Sequence, residues 1–455
     1  MDQTTERLAA FAAQMNFDSL PVATVHECKR RLIDTLAAAM AGYGDPVCKM
    51  ARSVARKRPS DPAASIWGSD ASAAPEMAAF ANGVMLRFMD ISDTYVGKSR
   101  GHPSDVISGI VAVAETLRAD GPAVINAITL AYDVYCSFID AIEINKRGWD
   151  QPVYGVIASA LGAGKLLGLA PAQMQNAVAL ALAPNMALAQ SRSGALSNWK
   201  GCAGANAARN GVYAALLAQE GFTGPTAVFE GPGGLWDAVG KFDWPLPDVH
   251  GAHRVEQTHI KTLPVCFHGQ SAVLAALELR PRVRIEEIFE VHVDTYDTAV
   301  LMMANDAGRW APTTHETADH SMPYVIAVAL LDGEVTGESF SASRLAAADV
   351  ANLMQKVKVG ASPDLCALYP QAAPGRVRVH MQSGVVHAGE VRYPKGHAKN
   401  PLSDAELDAK FRRIFEEQGR AAQCEKALAA LWALDHAGDV RAVFELLRPA
   451  SGTAE

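Results

Sequence analysis

Acidic, basic and hydroxyl side chains surround one histidine in a short segment of the first quarter of the chain. His102 stands between Gly101 and Pro103, two residues that restrict the backbone and fix the turn carrying the imidazole. Asp90 and Thr94 are four residues apart, so they share a face if the preceding helix continues through them. An imidazole beside carboxylates and cations suits proton transfer near neutral pH. The alternative interpretation is a set of helix caps and surface ion pairs around an ordinary histidine.

Three further clusters combine cations with polar groups. Arg147 precedes a predicted helix start, where a cation is well placed to bind a carboxylate, and Asp150 follows it closely. Lys200 lies in a second cluster of polar residues. Lys261 and His268 flank a proposed domain boundary, and clefts between domains are common ligand sites. For the first of these clusters, a solvated loop is the alternative.

Several local patterns imitate known motifs without completing them. The glycine-rich residues 162–168 have Leu167 where a Rossmann turn needs its third glycine, and they lack the Ser or Thr of a Walker loop. His315 and His320 are one residue further apart than the histidines of an HExxH zinc helix, which rotates the second by about 100°. Cys266 is interpreted as a small buried hydrophobe. No iron-sulfur spacing or Gly-x-Ser-x-Gly elbow is present.

The elements that must position these residues are predicted to be helical over most of the first half of the chain. With 455 residues and 49% hydrophobic composition, the chain exceeds the usual size of one core, so two domains are expected. Apolar residues recur every three or four positions, as in amphipathic helices. The predicted helices cover residues 22–40, 105–117, 122–142, 153–167 and 205–218.

The middle of the chain changes to strand-like alternation. Residues 288–296, 357–359 and 377–381 alternate polar and apolar side chains, and residues 385–393 are a predicted hairpin partner. A Ser403-x-x-Glu406 capping box then begins another helical segment, and residues 424–447 are also predicted to be helical. The predicted fold class is mainly α with a smaller α+β domain. A large discontinuous all-helical domain (1–261 and 394–455) is interrupted by an α+β lid domain (262–393).

Composition restricts the partners and the compartment. A formal net charge of −8 provides no basic surface for nucleic acid or for an anionic membrane. The seven cysteines are odd in number and scattered, which indicates a reducing compartment. The amino terminus is polar and acidic rather than basic and then apolar, so we expect no signal peptide and a cytoplasmic protein.

Five short motifs then occur in a characteristic order. They are Asp90 to Thr94, Gly101 to Asp105, Phe229 to Gly234, Asp319 to Tyr324, and Tyr393 to His397. In this order, and along essentially the whole chain, the sequence resembles the MmgE/PrpD family of 2-methylcitrate dehydratases, cis-aconitate decarboxylases and iminodisuccinate epimerases. The resemblance implies a large helical domain interrupted by a smaller α+β lid, usually in a homodimer.

The resemblance also implies site residues, carried over motif by motif. They are Asp90, Thr94, His102, Lys200, Lys261, His268 and Tyr324. Decarboxylase-like members usually have a histidine after the Gly-Trp pair, where this chain has Asp150. Together with the Gly-His-Pro-Ser-Asp stretch, this aspartate resembles the dehydratase branch.

The predicted function is therefore a cofactor-independent lyase that dehydrates 2-methylcitrate or a similar hydroxy-polycarboxylate. His102 with Asp90 is assigned proton transfer, while Asp150 is a second candidate acid or base. Substrate binding is assigned to Thr94, Arg147, Lys200 and His268. Lys261 is assigned to the catalytic group and is also expected to bind a carboxylate, and Tyr324 is expected to donate a catalytic hydrogen bond from the lid. No metal or other cofactor is expected, and the partners are a small polycarboxylate and a second copy of the chain. The alternatives are a cis-aconitate decarboxylase-like enzyme, an iminodisuccinate epimerase-like enzyme, and a non-catalytic polycarboxylate-binding protein.

Overall fold

A computed structural model describes residues 1–194 and 196–448, and the first half of this part is built from helices. The helices before residue 240 are α1 (Gln3–Gln14), α2 (Val22–Ala41), α3 (Pro46–Arg56), α4 (Pro75–Phe88), α5 (Ile107–Leu117), α6 (Gly121–Ala141), α7 (Pro152–Leu166), α8 (Pro171–Leu182), α9 (Trp199–Gln219) and α10 (Leu235–Val239). Two short antiparallel pairs lie between them, β1 (Ala64–Ser65) with β2 (Ser72–Ala73) and β3 (Tyr95–Val96) with β4 (Arg100–Gly101).

Small residues let these helices approach closely. Helix α9 packs against both α4 and α7. A Cβ added at Gly83 of α4 would lie 2.7 Å from the Cβ of Ala205, and one at Gly211 would lie 2.5 Å from the Cβ of Ser159. Both distances are shorter than van der Waals contact, so the alanine- and glycine-rich sequence fixes the helix spacing.

The described residues from 270 to 391 form an α+β unit. Its four-stranded sheet has the order β6-β5-β7-β8, with β5 parallel to β6 and antiparallel to β7. The strands are β5 (Ile288–Thr295), β6 (Val357–Ala361), β7 (Gly375–Met381) and β8 (Val386–Val391). The helices are α11 (Gln270–Leu279), α12 (Asp297–Met303), α13 (Ala307–Trp310), α14 (His315–Ala318), α15 (Met322–Asp332), α16 (Ala342–Leu345), α17 (Ala348–Met354) and α18 (Pro363–Cys366).

The carboxyl-terminal helices return to the helical part. They are α19 (Asp404–Glu417), α20 (Ala421–Trp432) and α21 (Arg441–Glu445), so the predicted helix over 424–447 is interrupted. Ser403 caps α19 through the predicted capping box. One large apolar core joins residues from 8 to 260 with residues from 402 to 447, and a second lies within 265–381. The domain boundaries at 261/262 and 393/394 stay predictions, and residues 449–455 of the last segment lie outside the described part.

Helix α6 is the one helix of the described residues that is long and apolar enough to cross a membrane. Of its apolar stretch, 89% is buried inside the fold. Since the helix packs against α7, α5 and α2, its apolar surface is already covered by protein.

Candidate active site

A cavity of about 460 Å³ lies where the helical part meets the α+β unit. Of the residues predicted from sequence, it is lined by Asp90, Thr94, His102, Asp150, Lys261 and His268. Its remaining polar lining includes Arg100, Asn145, Gln151, Arg192, Ser193, Cys266, Asn305, Asp306, Arg309 and His320. The cavity therefore collects residues from distant parts of the chain, as expected for a binding or catalytic site.

His102 is held by its backbone and by one ring nitrogen. Its N–H donates to Gln151 Oε1 at 2.9 Å, and a Cβ on the preceding Gly101 would lie 2.7 Å from the hydroxyl of Tyr135. Nδ1 lies 2.7 Å from the carbonyl oxygen of Asp93, which can only accept, so Nδ1 carries the proton. Burial, with the charges of nearby Arg87 and Lys261, holds the pKa of His102 well below its usual value. His102 is therefore a neutral imidazole whose unprotonated Nε2 can act as a base.

Asp90 is an ionised carboxylate at a strained backbone position. Helix α4 ends at Phe88 and Asp90 has φ 48°, so the predicted helical face shared by Asp90 and Thr94 is wrong. The Asp90 carboxylate lies 2.9 Å from Lys261 Nζ and 3.1 Å from Arg87 Nη2. Burial opposes its ionisation, but the charges of these cations outweigh burial and hold the pKa of Asp90 well below its usual range.

The cavity is also lined by a second imidazole, His320, which offers a ring nitrogen within 4.8 Å of an Asp90 carboxylate oxygen. Its Nδ1 lies 2.5 Å from Asp319 Oδ1, and the other oxygen of Asp319 accepts a 2.7 Å bond from Lys200. Burial opposes the charged form, as does Lys200, but Cys266 and Asp319 outweigh both, so the pKa of His320 is raised. The pKa of Asp319 is about 2, because the charges of Lys200 and His320 outweigh burial. The raised pKa favours the protonated form of His320, which can act as an acid in the same cavity as the His102 base.

Cys266 and His268 complete this end of the cavity. Burial raises the pKa of the Cys266 thiol, but the charge of His320 and a hydrogen bond to it dominate, so the pKa is lowered. His268 Nδ1 lies 2.7 Å from the hydroxyl of Tyr296, and burial with the charge of Arg100 holds the pKa of His268 well below its usual value. His268 is thus a neutral polar contact rather than a cation.

Three arginines bring positive charge to the cavity. Arg192 Nε donates to Asp150 Oδ2 at 2.8 Å, which makes Asp150 an ion-paired carboxylate. Within the described residues Arg100 has no carboxylate partner, and its Nη2 contacts the sulfur of Met302. Arg309 is buried, and its Nη1 has no hydrogen-bond partner. A buried guanidinium N–H without an acceptor is costly, so this side of the cavity favours an anionic ligand.

Three residues predicted from sequence do not line the cavity. Arg147 is exposed, because it lies in the short connection that precedes α7. Tyr324 is buried in α15 and donates its hydroxyl to the carbonyl of Ser339 at 2.6 Å, so it is not free to bind a ligand. Lys200 is buried behind the lining, where it orients Asp319 rather than binding a ligand directly. Thr94 does line the cavity, but its hydroxyl donates to the Gly101 carbonyl at 3.0 Å.

The residues that sequence reasoning missed are His320, Arg192 and Arg309. The adjacent Asp319 and His320 were a usable signal, because an aspartate beside a histidine is a common way to orient and charge an imidazole. The partner of Asp319 lies 119 residues away in the chain, so this charge network had no local signature. Arg192 ends a 3-10 helix of four residues and Arg309 lies in a one-turn α-helix, and neither has a distinctive spacing in the sequence.

The carboxylates of Asp90 and Asp319 form ion pairs with lysine ammonium groups. Asp90, Asp319 and His320 each offer a ligand atom within 4.8 Å of the others. Lys261 contacts Asp90 and Lys200 contacts Asp319, which places positive charge where a metal ion would bind. The arrangement is that of an organic acid-base site.

Lys410 of α19 ties several segments together below the cavity. Its ammonium contacts Asp34 at 2.5 Å and donates to the carbonyls of Ile91 and Lys261 at 3.1 and 2.7 Å. Ile91 follows the Asp90 carboxylate and Lys261 supplies the cation beside it. The carboxyl-terminal helix therefore fixes the backbone on both sides of the Asp90–Lys261 pair.

Comparison with known proteins matches both parts of the chain to models of one family. Residues 6–245 match the model of the MmgE/PrpD N-terminal domain, and residues 263–435 match that of the MmgE/PrpD C-terminal domain. A cis-aconitate decarboxylase from Homo sapiens is 27% identical over 90% of this chain and 87% of its own length. A 2-methylcitrate dehydratase from Salmonella typhimurium is 28% identical over 83% and 82%, respectively. A fungal alkylcitrate dehydratase is 25% identical over 90% and 88%. Decarboxylases and dehydratases are thus about equally similar to this chain.

Proposed function

The chain belongs to the MmgE/PrpD family, and on that premise we propose that it is a lyase that removes water from a small hydroxy-polycarboxylic acid. The preferred substrate class is 2-methylcitrate or a similar tricarboxylate. The observation that carries the proposal is that one cavity contains two histidines, His102 and His320, whose surroundings shift their pKa values in opposite directions. Elimination of water needs one group to accept a proton and another to donate one.

His102 is the proposed base. Its Nε2 accepts the proton from the carbon next to a substrate carboxylate, while Nδ1 stays bonded to the Asp93 carbonyl. The C–H electrons form the new carbon–carbon double bond as the C–O bond breaks. Asp90 faces the same cavity and stabilises the imidazolium that His102 becomes.

His320 is the proposed acid. It gives a proton to the departing hydroxide, which leaves as water, so that the proton and hydroxyl lost by the substrate are both accounted for. Asp319, itself held by Lys200, binds Nδ1 of the His320 ring and thereby fixes the orientation of that ring. After product release, His102 loses its proton to solvent and His320 regains one.

The cationic lining supports a substrate with several carboxylates. Negative charge builds up on the carboxylate next to the deprotonated carbon, and Lys261, Arg192 and Arg100 are the cations that line the cavity on the helical side. Arg309 approaches from the α+β unit with an unpartnered N–H. A bidentate bond from a guanidinium to a carboxylate matches both groups in geometry.

Decarboxylation is the second candidate, because the decarboxylase relative covers as much of the chain as the dehydratases do. Dehydration is preferred because Asp150, which is paired with Arg192, stands where decarboxylase-like members usually have a histidine. An iminodisuccinate epimerase-like reaction remains the third alternative. A cytoplasmic location, a homodimer and independence from cofactors belong to the same proposal.

One assay separates these alternatives. The purified protein is incubated separately with 2-methylcitrate, citrate, cis-aconitate and iminodisuccinate, while the ultraviolet absorbance of new double bonds and the release of carbon dioxide are followed. We expect absorbance to rise with 2-methylcitrate or citrate without release of carbon dioxide. Carbon dioxide release from cis-aconitate would establish the second candidate instead, and no turnover of any acid would contradict a catalytic role.

A further inference from the structure

A second cluster, of two histidines and one glutamate, lies on the outer face of the four-stranded sheet, and none of the three residues lines the cavity. Glu290 and His292 are two residues apart on β5, so their side chains lie on the same face. His380 of β7 is the cross-strand partner of Glu290. The intervening Val291 is buried in the core on the other face of the sheet. The strand register therefore brings two imidazoles and one carboxylate together on one face of the sheet.

The ligand atoms of these three residues are close together. One nitrogen or oxygen atom from each lies within 4.8 Å of the others. His292 Nε2 is 2.7 Å from Glu290 Oε1, and the rings of His292 and His380 have centroids 4.7 Å apart. Two ligands at about 2.0–2.1 Å from a tetrahedral ion are about 3.3 Å apart, so small side-chain movements suffice to admit one.

The hydrogen bonding of the cluster is incomplete. The Nε2 atoms of His292 and His380 are both shielded from solvent; His292 Nε2 contacts only Glu290 Oε1, and His380 Nε2 has no partner among the described residues. Shielded ring nitrogens without partners are uncommon in folded proteins. A shared metal ion satisfies both nitrogens at once, which no hydrogen bond between these three side chains does.

The charged groups around the cluster leave room for a cation. Lys358 of β6 forms an ion pair with the second carboxylate oxygen of Glu290, and its side chain is 65% exposed. Arg378 of β7 is paired with Asp294 at 2.7 Å. The carboxylate oxygen Oε1 of Glu290 is therefore available toward the histidines, while Lys358 is free to move into solvent.

We propose that Glu290, His292 and His380 form a zinc-binding site that joins β5 to β7. Two imidazoles and one carboxylate are a ligand set that zinc uses, with water in the fourth position. Calcium and magnesium require oxygen ligands and do not suit this set. Because its ligands come from two strands, the ion fixes the register of the sheet at the end where a bulge separates Ile288 from Glu290.

Zinc competition with a chromogenic chelator tests this site. The full-length protein is first stripped with EDTA, then titrated with zinc, and the measurement is repeated for H292A, H380A and E290Q. We expect one tightly bound zinc per chain. Removing either histidine should lower the zinc affinity by roughly 100-fold or more, because losing the hydrogen-bond partner of a ligand already lowers metal affinity by about 10- to 100-fold. The isosteric E290Q variant covers the case in which a histidine variant folds poorly.

His387→Ala is the matched control. His387 lies on β8 opposite Val379, so it belongs to the same sheet but to the other face. We expect H387A to bind zinc with the affinity of the unmodified protein. When cobalt replaces zinc, the unmodified protein should show the absorption bands of a nitrogen-ligated cobalt ion, and H292A and H380A should lack these bands. Equal zinc affinity in the H292A/H380A double variant and the unmodified protein would overturn the proposal. So would an equal loss of affinity in H387A, since either result means adventitious binding elsewhere.

Discussion

The cavity cluster (Asp90, Asp319 and His320) and the sheet cluster (Glu290, His292 and His380) are made from the same kinds of side chain. Both bring carboxylate and imidazole atoms within 4.8 Å of each other. In the cavity, two buried ammonium groups pair with the carboxylates and the imidazole carries a proton. On the sheet, the neighbouring lysine is mostly exposed, His292 Nε2 contacts the Glu290 carboxylate, and His380 Nε2 has no partner among the described residues. Buried cations thus favour acid-base chemistry, whereas their absence favours a metal ion.

Replacing the base of the cavity should have the largest effect on activity. We expect His102→Ala to lower kcat by roughly 100-fold to 10,000-fold, the usual range for a general acid-base group. The melting temperature should stay nearly the same, because the turn is held by the bond that the His102 backbone N–H donates to the Gln151 side chain, which the substitution leaves in place. Steady-state kinetics and thermal unfolding measure both quantities. His292→Ala is the control from the sheet cluster, and a comparable loss of turnover there would contradict the separation of the two clusters.

Removing a buried ammonium should test what holds the cavity cluster together. Lys200→Met removes one of the two cationic groups that contact the buried Asp319 carboxylate and leaves only His320, so we expect a loss of at most about 3–5 kcal/mol in the free energy of unfolding. Lys358→Met removes the analogous lysine from the sheet cluster, where an exposed ion pair contributes at most about 1 kcal/mol. Urea unfolding of the two variants compares them directly. Equal losses would mean that burial does not distinguish the clusters.

The pH dependence of kcat/KM should separate base from acid. His102 works when unprotonated, and its lowered pKa places the rising limb below pH 6.5. His320 works when protonated, and its raised pKa places the falling limb above pH 6.5. His320→Gln should lower activity at pH 7 by roughly 10- to 100-fold and remove the falling limb. A falling limb that persists in this variant would assign the acid to another residue.

A charge change beside the sheet cluster should have a small effect on zinc. Lys358→Met removes a cation near the proposed ion, and exposed charges a few ångströms apart interact by about 1 kcal/mol. We therefore expect zinc to bind about fivefold more tightly to this variant. The chelator competition assay measures the change, and weaker binding would show that Lys358 contributes to the site instead of opposing it.

Chelation should have the smallest effect of all on turnover. We expect EDTA to remove zinc from the sheet cluster and to change kcat by less than about twofold, because the cavity carboxylates are paired with ammonium groups. Turnover before and after exhaustive chelation, with zinc measured in the same samples, checks this. Full loss of activity, restored by one divalent metal, would contradict the cofactor-independent mechanism.

The sequence was most informative where structure is local. The three-to-four-residue apolar period predicted α2, α6 and α7 to within a few residues, and the alternation at 288–296 predicted β5. Asp90 was correctly predicted to line the site, but the helix ends at Phe88, so Asp90 and Thr94 share no helical face; its partner Lys261 is 171 residues away and left no local signal. Tyr324 was misassigned because no pattern in the sequence reveals that its hydroxyl is taken by the Ser339 carbonyl.

The position of Lys410 has a consequence for synthesis of the protein. The ribosome makes the residues of the cavity in order from Asp90 to His320, but the ammonium that supports Ile91 and Lys261 comes from α19, almost a hundred residues after His320. Nascent helices and sheet can pack before that point, since domains commonly fold as they emerge. The backbone around the Asp90–Lys261 pair, however, gains its last support only when α19 docks. A chain still on the ribosome therefore carries every cavity residue while remaining catalytically immature.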